Sequence, residues 1–301
     1  MLEALLGYPA MLHRFIPHPV AWAGGALSGL EWRWNRTQFS ARYRRALGVA
    51  ALLLVAGSAA LAGGLLEWWA GHSAWRGVVI VLLATTGLAQ RSLYSHVAAV
   101  GRPLRGHNLA AARQAVGQIV GRDVAALSSS GVAGAALESL AESFNDGVVA
   151  PAFWLLGFGL PGLFAYKAVN TADSLIGHRE PRWREFGWAS ARLDDALNLI
   201  PARLAGALLV LAGRGGWRVM LRDAKKHDSP NAGWPEAAMA GALRIRLGGA
   251  VYYDGVAHTR PWFGDGAAPD AADIERGLSL YVVACGFLWA GLALLGLAWR
   301  L

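Results

Sequence analysis

Residues 141–199 read AESFNDGVVAPAFWLLGFGLPGLFAYKAVNTADSLIGHREPRWREFGWASARLDDALNL. Runs apolar enough for a membrane stand here beside Glu142, Asn145, Asp146, Lys167, Asn170, Asp173, Arg179, Asp194 and Asp195. Ionisable side chains next to lipid-grade helix are costly unless they face a cavity or one another. The stretch therefore marks either a functional site at the membrane or a set of helix caps and structural ion pairs. Both readings stay open on spacing alone.

Composition points the same way. The 301 residues are 55% hydrophobic and only 16% charged, against about 25% charged in soluble domains. Fourteen Trp and 38 Gly suit interfacial belts and close-packed membrane helices. The expected fold is all-α, a multi-pass integral membrane protein. It should have roughly four or five spans, broken or re-entrant helices, and amphipathic helices in the cytoplasm. No domain boundary or repeat is evident, so residues 1–301 read as one membrane domain. The net charge of +8 suits anionic lipid headgroups or an anionic substrate. The basic residues are scattered among apolar runs, which argues against nucleic acid. Cys285 is the sole cysteine, so an intrachain disulfide is excluded. Glu3, Pro9 and Pro17 do not fit a signal peptide.

Residues 1–30 are apolar but broken by Pro9, Pro17 and Pro19, and read as short or interfacial helices, with His13 and His18 at an interface or in caps. Residues 31–45, EWRWNRTQFSARYRR, form a basic flank with aromatic anchors before a charge-free span at 46–66. Glu67 to Arg76 is expected as a short outside turn, and 77–95 as the second span. Residues 96–147 are polar enough for the cytoplasm, with an amphipathic helix that ends at Gly121-Arg122-Asp123. Ser128-Ser129-Ser130-Gly131 starts another helix, carrying Glu138, Glu142 and Asp146 at i, i+4 and i+8. Those three drift only about 40° around a 3.6-residue helix. Their mutual repulsion asks for a counter-ion: Mg²⁺, Lys or Arg.

The runs 148–169 and 199–212 are interrupted by Pro151, Pro161 and Pro201. Full crossings would place the arginines of 179–192 outside, against the positive-inside rule. Broken or re-entrant helices would let the loops 141–147, 170–198 and 214–277 share the cytoplasmic side. Within the last, Ser229-Pro230 and Gly233 mark a turn before a helix opening near Pro235-Glu236, a natural anion seat. Gly248-Gly249 and Tyr252-Tyr253-Asp254-Gly255 read as flexible loop, and 277–299 as a final span ending on Trp299 and Arg300. The phosphate-loop, HExxH and GxSxG signatures are all missing.

The motifs resemble the CobD/CbiB family of cobalamin biosynthesis membrane proteins, the adenosylcobinamide-phosphate synthases. The resemblance is carried by HPV at 18–20, GRD at 121–123, ESLAES at 138–143, DGVVAP at 146–151, FAYKAVNTADSLIGHR at 164–179, FGWASARLDDALNLIPARL at 186–204, SPNAGWPEAAMAGAL at 229–243 and RLGG at 246–249. Three positions depart from the family pattern: Glu142-Ser143 stands for Glu-Asn, Gly134 or Ala135 for a basic residue, and Gly7-Tyr8-Pro9 for a stretch that often opens on an acid.

The resemblance implies attachment of (R)-1-amino-2-propanol, or its O-phosphate, to a propionate carboxylate of adenosylcobyric acid. It also implies a place in the cell (inner) membrane and association with other corrinoid-pathway enzymes. Amide formation from a free carboxylate is uphill, so ATP with Mg²⁺ is expected to activate the acid. Glu138, Glu142, Asp146 and Asp173 are the candidate Mg²⁺ ligands. Lys167, Arg179 and Lys225 are candidate cations for phosphate or carboxylate, and Asp194 or Asp195 a base or an orienting group. Catalytic roles fall on Glu142, Asp146, Lys167, Asp194 and Asp195; substrate contacts on Asn170, Asp173, Arg179, Lys225, Ser229, Asn231 and Glu236. His227 is a further base candidate, and Trp154, Trp188 and Trp234 could pack on the corrinoid. The rival readings are a transporter, which would carry inverted repeats, and a non-catalytic scaffold for corrinoid enzymes.

Overall fold

A backbone in lipid must satisfy its own hydrogen bonds, so charge-free runs of this length become helices. The computed structural model describes residues 3, 19–72, 74–253 and 255–298 and is 73% helical. The expectations placed on Gly7-Tyr8-Pro9, Pro17, His13, His18, Asp254, Trp299 and Arg300 lie outside the described residues. Five helical stretches among those described are long and apolar enough to cross a membrane: Ala41–Gly71, Arg76–Arg105, Ser129–Ile176, Trp188–Ala212 and Ala271–Ala298. Large apolar side chains such as Leu53, Leu61, Phe287 and Leu294 are exposed on them, as lipid-facing positions should be. The protein is a multi-pass helical membrane protein.

Contacts gather in two units, one of Gln90–Val149 and Leu199–Leu301, the other of Leu2–Ala89 and Ala150–Asn198. The second unit contains α1 (Pro19–Trp34), α2 (Ala41–Gly71), α3 (Arg76–Thr85), α7 (Ala150–Ile176) and the start of α8 (Trp188–Ala212). Helix α1 is described over Pro19–Trp34. Its Leu27 packs with Ala51, Leu52 and Val55 of α2, Val169 and Ala172 of α7, and Phe186. Small residues let α2 approach closely: a Cβ at Gly63 would lie 2.7 Å from the Leu160 backbone.

Helix α2 does not stop at residue 66. It runs through Glu67 to Gly71, because Glu67 has a partner inside the unit. Its Oε2 accepts from the Leu160 amide at 3.0 Å, next to Gly159, whose φ of 63° and ψ of −153° break α7. The turn expected at Glu67–Arg76 is thus mostly helix. The break in α7 comes from Gly159 with Pro161 behind it, while the backbone stays helical at Pro151. The segment 188–198, expected as loop, is also helical; only 177–187 separates α7 from α8. Asp194 and Asp195 therefore lie inside a helix rather than at its cap.

The first unit contains α4 (Gln90–Arg105), α5 (Leu109–Val116), α6 (Ser129–Phe144), a π-turn at Asn145–Val149, the rest of α8, α9 (Trp217–Asp223), a 3₁₀ turn at Ala224–Lys226, α10 (Gly233–Leu243) and α11 (Ala271–Ala298). The expected second span is divided by the turn before Gln90. Helix α5 ends at Gly117, earlier than the expected Gly121. Ser128 caps α6 as its sequence requires, accepting from Gly131 N. Helix α6 is not the polar surface helix expected: Val132, Ala133, Ala136, Leu137, Glu138, Leu140 and Phe144 are all buried. Phe144 meets Tyr281 of α11 edge-on at 5.5 Å, and Tyr281 donates to the Gln90 carbonyl at 2.9 Å.

The stretch expected as flexible loop holds two short antiparallel ladders. Strand β1 (Leu247–Gly248) pairs with β4 (Trp262–Phe263), and β2 (Val251–Tyr253) with β3 (Val256–His258). The φ of 93° at Gly248 and 85° at Gly249 turns the chain between the ladders, a conformation that favours glycine.

Candidate functional site

In the first unit, helix α6 supplies Glu138, and the carboxylate gathers three donors. The Gly248 amide donates to Oε1 at 2.8 Å, Arg260 Nη1 to Oε2 at 3.2 Å, and Arg122 Nη2 also to Oε2. Arg260 reaches on: its Nη2 donates to Glu236 Oε2 at 3.0 Å and lies 2.9 Å from His227 Nε2. Glu138 and Glu236 are buried, and unpaired charge there would cost several kcal/mol. Two carboxylates, two guanidiniums and an imidazole thus form one network. Glu142 and Asp146 extend it, since Glu142 feels the charges of Asp146, Arg260, Glu138 and Arg122. Glu142 itself is exposed.

Burial, and then the Glu138 charge, hold the Glu236 carboxyl well above the usual carboxylate range, against the pull of Arg260. Burial, followed by the Arg260 charge, lowers His227 to about 4. His227 is therefore a neutral imidazole near pH 7, with Nε2 3.6 Å from Glu236 Oε1. The ring stacks near Phe263 and is approached by Gly233, where a Cβ would lie 2.7 Å from the His227 Cβ. That close approach explains the glycine in Asn231-Ala232-Gly233-Trp234.

The Ser229 hydroxyl closes the turn before α10, accepting from the amides of Asn231 at 3.2 Å and Ala232 at 3.3 Å. Arg203 Nη1 contacts Asn231 Oδ1 at 3.4 Å, and its guanidinium lies over Trp234. Lys225 is exposed. Asp223, absent from the sequence-based candidates, is buried and takes both Arg222 nitrogens at 2.7 Å, Lys226 at 2.7 Å and the Gly264 amide at 2.8 Å. The Arg222 bonds, opposed by burial, hold its carboxyl far below the usual range. A cavity of about 190 Å³ beside the network is lined by Arg122, Glu138, Arg246, Gly248 and Trp262 among others.

The second unit has a separate polar chain. Lys167 Nζ donates to Asn170 Oδ1 at 3.3 Å, and Asn170 Nδ2 to Asp194 Oδ1 at 3.3 Å. Asn198 Nδ2 donates to Asp194 Oδ2 at 3.0 Å, and the Tyr166 hydroxyl to Asn198 Oδ1 at 3.0 Å. Asp195 pairs with Arg192 at 3.8 Å and lies within electrostatic reach of Arg179. The Asp173 carbonyl accepts from the Gly177 amide at 2.7 Å.

Of the sequence-based candidates, Glu138, Glu142, Asp146, Lys225, Ser229, Asn231 and Glu236 belong to the first unit, and Lys167, Asn170, Asp173, Arg179, Asp194 and Asp195 to the second. Arg260, Arg246, Tyr166 and Asn198 escaped sequence reading. Among the described residues, no group of three or more His, Cys, Asp or Glu side chains is gathered to hold a metal ion.

The CobD/Cbib protein family matches residues 1–281. The chain is 50% identical to a cobalamin biosynthesis protein CobD of Rhodobacter capsulatus, over 99% of this chain and 95% of that relative. It is 44% identical to the protein of that name from Rhizobium meliloti (96% and 92% covered), and 42% identical to that of Sinorhizobium fredii (100% and 96%). No solved structure matches.

Proposed function

Since the chain belongs to the CobD/CbiB family of cobalamin biosynthesis proteins, we propose that it is the amide-forming ligase of that family. It joins (R)-1-amino-2-propanol, or its O-phosphate, to a propionate carboxylate of adenosylcobyric acid. The observation that carries this reading is the Arg122–Glu138–Arg260–Glu236–His227 network with Glu142 and Asp146 beside it. A scaffold has no need of buried charges gathered at such cost.

The donor set fits Mg²⁺ in one place. Glu138 is held by two guanidiniums and an amide; the carboxylates assigned to the ion are Glu142 and Asp146, which feel one another's charge, Asp146 also accepting from the Asn145 side chain at 2.8 Å. Two carboxylates completed by substrate phosphate oxygens match the ordinary habits of Mg²⁺. ATP with Mg²⁺, when bound, would supply activation of the acid. The chain's own residues do the rest. Arg122 and Arg246, at the 190 Å³ cavity, receive an anionic group of the substrate. The ammonium of the aminoalcohol must lose a proton before its nitrogen can bond to carbon. The raised carboxyl of Glu236 is the group placed to hold that proton, with His227 a neutral neighbour 3.6 Å away. Arg260 fixes both in position. We assign the site loops to the cytoplasmic side of the inner membrane.

The test uses purified protein in detergent with adenosylcobyric acid, either amine, Mg²⁺ and ATP, following product mass and released ADP or AMP. Product with one amine only establishes the ligase and its substrate. No product with either amine, from folded protein, overturns the reading.

A further inference from the structure

The basic flank at residues 31–45 is more than a stripe of charge. In the second unit, the end of α1, the start of α2 and the loop before α8 enclose a pocket of about 530 Å³, lined by Glu31, Trp32, Arg36, Thr37, Arg44 and Arg182 among others. Its single carboxylate is used. Arg182 grips Glu31 with two bonds of 3.0 Å; burial opposes but these bonds lower the Glu31 carboxyl. Arg44 is held in place by neutral groups, Nε to Asn35 Oδ1 at 2.7 Å and Nη2 to the Arg182 carbonyl. Arg36 lies over the Trp32 ring at 5.1 Å, its Nε on the Arg33 carbonyl at 3.3 Å. Two guanidiniums, of Arg36 and Arg44, therefore face the pocket with no second carboxylate among the lining residues to offset them.

Arg44 stands in the first turn of α2, the end of a membrane-crossing stretch. Trp32 is exposed beside it. This is the depth at which tryptophan meets lipid headgroups and anionic lipid attracts arginine. We infer that this pocket binds the phosphate of an anionic phospholipid at the edge of the membrane. Guanidiniums match phosphate oxygens in a planar fork, and the rigid Arg182–Glu31 clamp pre-sets the pocket wall. The chemistry, a phosphate anion between two guanidiniums, is shared with soluble phosphates; the position at the span end favours the lipid.

The experiment takes the full chain, delipidated in neutral detergent, and adds phosphatidylglycerol, phosphatidylcholine or millimolar inorganic phosphate. Retained lipid is counted by native mass spectrometry and the thermal midpoint is followed. Phosphatidylglycerol is expected to be retained and to raise the midpoint, phosphatidylcholine much less. Arg36→Gln, on an exposed side chain, should weaken retention about fivefold, the effect of one arginine at an anionic surface. Arg218→Gln, which removes an exposed charge elsewhere, should leave retention unchanged. Arg44→Lys keeps the charge without the fork and should also weaken it. A lipid-free midpoint of Arg36→Gln equal to that of the parent shows that the fold is intact. Equal retention of both lipids, equal losses in Arg36→Gln and Arg218→Gln, or Arg36-dependent stabilisation by inorganic phosphate alone would each overturn the proposal.

Discussion

Arg260 Nη2 donates to Glu236 Oε2 at 3.0 Å, joining the segment between β3 and β4 to the first turn of α10. The same guanidinium holds Glu138 of α6. Arg260→Ala strips a guanidinium from two buried carboxylates, and should destabilise the protein by about 3–5 kcal/mol. Arg260→Lys should recover only part of this, because one ammonium cannot span both partners in a fork. At alkaline pH, where the raised Glu236 carboxyl would ionise without its partner, the double variant Arg260→Ala with Glu236→Gln should be more stable than Arg260→Ala alone. Denaturation in detergent measures all three; a double variant no better than the single would show that the pair is not the source of the loss.

Glu142 and Asp146 give a different pattern. Glu142 is exposed and its removal spares the buried ion pairs. Glu142→Ala and Asp146→Ala should each lower product formation by about 100-fold or more, while Glu142→Ala leaves the thermal midpoint nearly unchanged. Full turnover in both would remove the two carboxylates from the chemistry.

His227 makes stability depend on pH in a definite direction. Burial, then Arg260, lowers its folded-state value to about 4, against about 6.5 in an unfolded chain. The unfolded state therefore takes up the proton first as pH falls. The folded state has its full advantage above about 6.5 and loses it progressively down to about 4, by up to about 3 kcal/mol. His227→Gln should flatten this part of the profile. Thermal midpoints of parent and variant between those limits decide it, and parallel curves would contradict a depressed imidazole.

The polar chain of the second unit should behave as a coupled set. Asp194 accepts from Asn170 and from Asn198, so Asn170→Ala and Asp194→Ala remove the same contact. A double-mutant cycle should show coupling of about 0.5–2 kcal/mol. Strict additivity of the two losses would mean that the bond carries no energy.

What the sequence made legible follows from how local each signal is. The charge-free run of α2, the Ser128 cap and the interruption in GFGLPG are written within a few neighbouring residues, and each stands where expected. Residues 129–144 and 188–198 look too polar for buried helix because hydropathy counts each side chain alone. Glu138 is neutralised by Arg122 and Arg260, 16 and 122 positions away, and Asp194 is held by asparagines on α7 and α8. Glu138 and Glu236 could be recognised as chemically loaded residues. Their shared partner Arg260 could not, because it lies in a stretch with no periodicity and meets them only through the fold.

The same long-range pairing explains the kink in α7, and it can be tested at one glycine. Gly159 has φ 63° and ψ −153°, a region nearly closed to residues with a Cβ. A Cβ there would also overlap the Glu67 carboxylate, which accepts the Leu160 amide freed by the break. Gly159→Ala should therefore cost more than strain alone, above about 3 kcal/mol, because it displaces the acceptor as well. Glu67→Gln retains an acceptor oxygen and should be mild. Glu67→Ala leaves the Leu160 amide without one, at about 1–3 kcal/mol. Midpoints in the order parent, Glu67→Gln, Glu67→Ala, Gly159→Ala would establish that the carboxylate holds the kink open; a Glu67→Ala variant as stable as the parent would place the cause of the kink in Pro161 instead.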